Sequence, residues 1–226
     1  MLIEGDVLKN ISTPYVPQES FIMNDTVRNN ILFGNEMNEE RYQAAVKSCQ
    51  LEDDLAQLPG GDLTEIGEKG ITTSGGQKAR VMIARAVFAD CDINLIDDSL
   101  SALDAYVGKK VFEQVVCGLM TNKTRIMVTH QIELLQDTRV TKAIYLEDGR
   151  PVLIDKPENL KMDTSFQLYC RNLNIEESKN KINLANENDR MIYLDDTNLS
   201  TANRDVDLEA RGRNLALEGI VGFDAA

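Results

Sequence analysis

Short, widely separated stretches carry residue types suited to phosphate and metal chemistry. Thr73-Ser74-Gly75-Gly76-Gln77 precedes an apolar-periodic run. Ser74 and Gln77 stand at capping-box spacing, and the two glycines leave backbone N–H groups accessible at the positive end of a helix. That arrangement suits an anion such as a terminal phosphate. Ile93-Asn94-Leu95-Ile96 ends in Asp97-Asp98. A carboxylate at the C-terminal end of a buried strand can hold Mg²⁺, and its neighbour can polarise an attacking water. His130, the sole histidine, follows the apolar stretch Arg125–Thr129. The loops after such strands are where open α/β sheets place ligand-contacting residues. Gln18, in Tyr15-Val16-Pro17-Gln18, offers an amide for a metal or a water. Taken singly, each stretch also fits a plain structural role: a helix cap, an acidic turn, a loop histidine, a surface glutamine.

The elements that must position them follow from periodicity and turn chemistry. Leu2–Leu8 reads as a short strand, and Pro14–Gln18 as a strand edge entering a loop. Thr26–Leu32 and Asn38–Cys49 read as helices, with Asp25 and Asn38 as cap candidates. Lys78–Phe88 and Ala105–Met120 are further helices; Ile93–Ile96 and Arg125–Thr129 are buried strands. Ala143–Leu146 and Pro151–Ile154, joined through Asp148-Gly149, form a hairpin. Strands alternating with helices imply an α/β layered fold.

Composition narrows the function classes. The formal net charge is −13, which disfavours binding to phosphate backbones, so no nucleic-acid partner is expected. The four cysteines are scattered and a single histidine is present, which points to reduced thiols rather than zinc or a disulfide framework. There is no signal-peptide pattern and no apolar run of about 18 residues, so the chain is not expected to span a membrane itself. Residues 1–171 read as the folded part. From Asn172 to about 214, polar and charged residues dominate, which predicts a disordered linker. Residues 215–226 turn apolar again and read as the start of a following membrane domain, cut short.

The order of these motifs carries more than any one of them. A glutamine loop, a Ser-Gly-Gly-Gln helix start, a strand ending in Asp-Asp, then Ser101-Ala102-Leu103-Asp104 and a strand ending in histidine resemble the ATP-binding-cassette (ABC) ATPase family over residues 1–170. The resemblance implies a P-loop-NTPase-like sheet with a helical signature subdomain. It makes Gln18 the Q-loop residue and a Mg²⁺ ligand, and Ser74, Gly75, Gly76 and Gln77 the signature motif. Asp97 becomes the Walker B metal ligand, Asp98 and His130 the catalytic pair, and Ser101 and Asp104 the D-loop. ATP and Mg²⁺ are the implied cofactors. The implied partners are a second nucleotide-binding domain, paired head to tail, and the transmembrane domains of an exporter at the cytoplasmic face of a membrane. Asp62–Gly70 looks like the exporter X-loop, and Val27–Gly34 like the segment after its Q-loop. Lys78-Ala79-Arg80-Val81 with Asp98–Asp104 is most similar to the first nucleotide-binding domain of the multidrug-resistance-associated (C) subfamily. A chromosome-maintenance ATPase would need long heptad segments, and none are present.

The sequence departs from the family pattern at specific places. No G-x-x-x-x-G-K-[ST] phosphate loop (Walker A) occurs, so an N-terminally truncated cassette is expected. Asp98 stands where a catalytic glutamate is usual, Thr73 where leucine is usual and Ser99 where proline is usual. Aspartate is one methylene shorter than glutamate, which predicts slow hydrolysis. A non-hydrolysing cassette that pairs with another nucleotide-binding domain and regulates it is therefore the alternative function.

Overall fold

A computed structural model describes residues 12–68, 70–147, 150–168, 170–171 and 219–223. The expected strand Leu2–Leu8 and the expected linker 172–214 lie outside them. The first short strand, β1 (Tyr15–Val16), is followed by β2 (Asp25–Thr26), which pairs antiparallel with β3 (Glu65–Ile66). Between these two run α1 (Val27–Leu32), α2 (Glu39–Ser48) and α3 (Glu52–Gln57). Then come α4 (Gly75–Ala89), β4 (Ile93–Asp97), α5 (Ala105–Val111) and β5 (Thr124–Val128). The hairpin β6 (Lys142–Glu147) and β7 (Arg150–Asp155), the short α6 (Pro157–Leu160) and β8 (Gly219–Phe223) complete the described elements.

One six-stranded sheet, in the order β1-β4-β5-β8-β6-β7, forms the base. β1, β4 and β5 are parallel, with Tyr15 opposite Leu95 and Asp97 opposite Val128. Their C-terminal ends therefore share one edge, where Gln18, Asp97, Asp98 and His130 emerge. β8 pairs antiparallel with both β5 and β6. β8 lies within residues 215–226. The Gly-Ile-Val-Gly-Phe run satisfies its backbone by pairing on both sides within this sheet.

Local sequence explains the helix starts. Asn38 caps α2 by accepting from the Arg41 N–H. For α1 the cap is Thr26, whose side chain accepts from the Asn29 N–H, rather than Asp25. Asp25 instead accepts from the Thr26 N–H at 2.7 Å and the Asn29 amide at 2.8 Å. The expected helix Ala105–Met120 is α-helical only to Val111; Phe112–Leu119 continues it as a π-helix. Its last turn is closed by Met120 N–H donating to the Val115 carbonyl at 2.9 Å.

α4 is the central helix. It buries Ala79, Val81, Met82, Ile83 and Phe88 among other residues. Phe88 meets Tyr42 of α2 edge to face, with ring centroids 6.3 Å apart. Asn30 of α1 is fully buried and fully used. Its carbonyl accepts from Met23 N–H at 2.8 Å and from Arg85 at 3.2 Å, and its amide donates to the Met23 and Thr26 carbonyls. It thus ties the segment after Gln18 to α4. All four cysteines are free; Cys49 and Cys117 are buried, while Cys91 and Cys170 are half-buried. Burial pushes the Cys117 thiol up to about 11, so it stays protonated and unreactive at neutral pH. Among the described residues no helix is long and apolar enough to cross a membrane.

Candidate functional site

At the shared strand edge the polar residues meet directly. The Gln18 amide donates to Asp98 Oδ2 at 3.2 Å, which leaves the Gln18 carbonyl oxygen as an acceptor. The Tyr15 hydroxyl donates to Asp97 Oδ2 at 2.6 Å. That hydrogen bond, with smaller contributions from desolvation and the Asp97 charge, raises the Tyr15 pKa, so the phenol remains a donor. Asp98 is 5% exposed and its Oδ1 is buried without a hydrogen-bond partner. Its backbone is left-handed, with φ 43°, a conformation aspartate tolerates better than most residues. The conformation ends β4 sharply, while Asp98 N–H still donates to the Val128 carbonyl of β5 at 2.9 Å. His130 lies exposed just beyond β5.

The turn after Asp98 is a 3₁₀ helix, Ser99–Ala102. Ser101 closes it, its hydroxyl donating to the Asp98 carbonyl at 2.6 Å. Asp104 caps α5, its carboxylate accepting from Tyr106 and Val107 N–H at 3.1 and 3.0 Å. Ser101 and Asp104 thus fix the backbone that carries Asp98 forward.

The Ser-Gly-Gly-Gln segment starts α4 with the complete capping box expected of it. Ser74 Oγ accepts from Gln77 N–H at 3.2 Å, and Gln77 Oε1 accepts from Ser74 N–H at 2.9 Å. A Cβ on Gly75 would meet nothing within 4 Å, so that face is open. A Cβ on Gly76 would come 3.2 Å from the Ala102 carbonyl, so this glycine lets the start of α4 lie against the Ser99–Ala102 turn.

The structure therefore joins Gln18, Asp97 and Asp98 in one cluster, sets His130 at the end of the adjacent strand, and holds Ser74–Gln77 in a second cluster. Sequence reasoning missed Tyr15, although it lies within the quoted Tyr-Val-Pro-Gln stretch; β1 running parallel to β4 is what sets its hydroxyl on Asp97. It also missed Asp54, which accepts from the Gln77 amide at 2.8 Å. Nothing local in the sequence marks that contact.

Comparison with known proteins agrees with this geometry. The "ABC transporter" family model matches residues 6–101. The chain is 46% identical over 204 residues to ATP-binding cassette sub-family C member 3 of Rattus norvegicus, covering 88% of the chain and 13% of that relative. It is 56% identical over 172 residues to ATP-binding cassette sub-family C member 2 of the same species, covering 75% of the chain and 11% of the relative. ABC transporter C family member 8 of Dictyostelium discoideum is 51% identical over 152 residues, covering 66% of the chain and 9% of the relative. The chain thus spans about a tenth of the length of the curated relatives it matches. The α/β fold, the matched sequence and the similarity to C-subfamily members agree: the chain belongs to the ABC transporter family, as nucleotide-binding-domain sequence of the C-subfamily type.

Proposed function

We propose that this chain serves an exporter-type ABC transporter by contributing the signature half of one composite ATP site and the metal–water edge of another. The observation that carries the reading is the capping box of α4. With Ser74 and Gln77 bonded to each other, the first-turn N–H groups of Gly75 and Gly76 have no intrahelical acceptor, and the face at Gly75 is open. Such a helix start favours a terminal phosphate. The phosphate would belong to ATP held by a second nucleotide-binding domain, the head-to-tail pairing that the family resemblance implies. Ser74, Gly75, Gly76 and Gln77 therefore act in trans.

On the other edge, Asp97 and the free oxygen of Gln18 are the hard donors that Mg²⁺ prefers. Mg²⁺ commonly takes one or two carboxylates and completes its shell with water and phosphate. Bound there, Mg²⁺ would neutralise phosphate charge. Asp98, with a buried unpartnered oxygen, orients the attacking water, and His130 meets the terminal phosphate from the next strand. Ser101 and Asp104 hold the turn between the two half-sites. Transmembrane domains would dock on a cavity of about 480 Å³ lined by Tyr15, Phe21, Phe33, Met82 and Arg85 among others. Phe21 and Phe33 are 57% and 48% exposed, an apolar surface suited to a partner at the cytoplasmic face of a membrane. Asp98 in place of glutamate favours a second reading, a pairing module that binds but does not hydrolyse.

The test is pairing. Mixed with a nucleotide-binding domain that has an intact phosphate loop, the chain is expected to form a one-to-one complex only with MgATP, seen by size-exclusion light scattering. Ser74→Ala should weaken it. A complex indifferent to MgATP and to Ser74 would refute the reading.

A further inference from the structure

We infer that Asp54 and Arg80 are positioning residues that set the orientation of the signature glutamine and, through it, the phosphate-facing start of α4. The inference rests on the reading that Ser74–Gln77 meet a terminal phosphate. Gln77 uses both ends of its amide. Oε1 accepts from Ser74 N–H at 2.9 Å, and Nε2 donates to Asp54 Oδ1 at 2.8 Å. Turning the amide by 180° would set its NH₂ against the Ser74 N–H and its carbonyl against the Asp54 carboxylate. Both contacts would be repulsive, so the carboxylate selects one orientation. That orientation is the one that completes the capping box.

Asp54 is itself fixed. Arg80 Nη1 lies 2.7 Å from Asp54 Oδ2 and Nη2 donates to Oδ1 at 3.2 Å, a forked ion pair. The two side chains are only 19% and 14% exposed, so solvent screens the pair little. Arg80 Nη1 also donates to the Gln50 carbonyl, and Nε reaches the Gly76 carbonyl at 3.4 Å. Gln50 adopts a left-handed φ of 55° at the link between α2 and α3. One guanidinium thus ties that link, the first turn of α3 and the first turn of α4 together. α3 buries no residue of its own. The Asp54 contact is therefore poorly placed to anchor a core helix and well placed to govern the helix start it touches.

The experiment compares Asp54→Asn, Asp54→Glu, Ser74→Ala and the unaltered chain. Residue-resolved hydrogen exchange at Ser74 and Gln77 is read on the full chain; MgATP-driven pairing is read with a phosphate-loop-bearing domain. Losing a charge-assisted bond corresponds to about a tenfold change or more. Asp54→Asn is expected to speed exchange at the Ser74 and Gln77 amides about tenfold relative to the β4 and β5 amides, and to raise the MgATP concentration for half-maximal pairing by a similar factor. Asp54→Glu should recover part of both. If Asp54→Asn lowers only the thermal midpoint, with exchange at Ser74 and Gln77 and pairing unchanged, the residue is merely structural and the inference is overturned. If Ser74→Ala also leaves pairing unchanged, the trans-acting reading falls instead. The exchange data would then still decide whether Asp54 orders the helix start.

Discussion

Asp98→Glu is expected to raise ATP turnover at this edge about 100-fold, the scale of loss that a misplacement of about 1 Å can cause. The measurement is phosphate release from an assembled transporter that carries this sequence behind a phosphate loop. The geometry gives the reason. Asp98 leaves β4 in a left-handed turn, pinned by its N–H to Val128 and by the Ser101 hydroxyl on its carbonyl. The backbone therefore cannot advance to compensate for a short side chain. One carboxylate oxygen is held by Gln18, while the other is buried without a partner. An added methylene extends that second oxygen towards the water it would orient, without altering the caps or the sheet. Unchanged turnover would show that reach is not what limits this site.

The largest effect on stability is expected from Phe88→Ala, a loss of about 3–5 kcal/mol measured by urea unfolding. Phe88 is 1% exposed, and it packs against fully buried Tyr42. The Arg41 guanidinium lies 5.8 Å from its ring centroid. Truncation leaves a cavity between α2 and α4 that neither helix closes cheaply, because each is held at its own cap. With typical domain stability of about 5–15 kcal/mol, such a loss removes a large share of it. Met162→Ala, at an 82%-exposed position, is the control and should move stability by less than about 0.5 kcal/mol. Equal effects from the two substitutions would contradict the packing described for α4.

Much of the site was legible because its chemistry is local. Ser74 and Gln77 stand three residues apart, and their capping box formed as that spacing requires. The apolar runs before Asp97-Asp98 and His130 became adjacent parallel strands, which brought their loops to one edge. Cap choice was less legible. Asp25 and Thr26 are both good cap residues; α1 starts at Val27, so Thr26 takes the role while Asp25 accepts from the Thr26 N–H. The π-helical half of the Ala105–Met120 helix left no trace in the apolar periodicity, since side-chain pattern does not report a change of hydrogen-bond register. Contacts between residues distant in sequence were not legible at all. Tyr15 reaches Asp97 only because β1 lies beside β4, and Asp54 reaches Gln77 only because α3 folds back on α4.

The central claim is that Ser74–Gln77 act on a nucleotide that another domain holds. Calorimetric titration of ATP tests it most directly, first into the purified chain and then into the chain mixed with a phosphate-loop-bearing domain. The account predicts no micromolar binding to the chain alone. In the mixture it predicts micromolar binding that Ser74→Ala weakens, relative to the partner domain by itself. Micromolar affinity in the isolated chain, insensitive to Ser74, would contradict it.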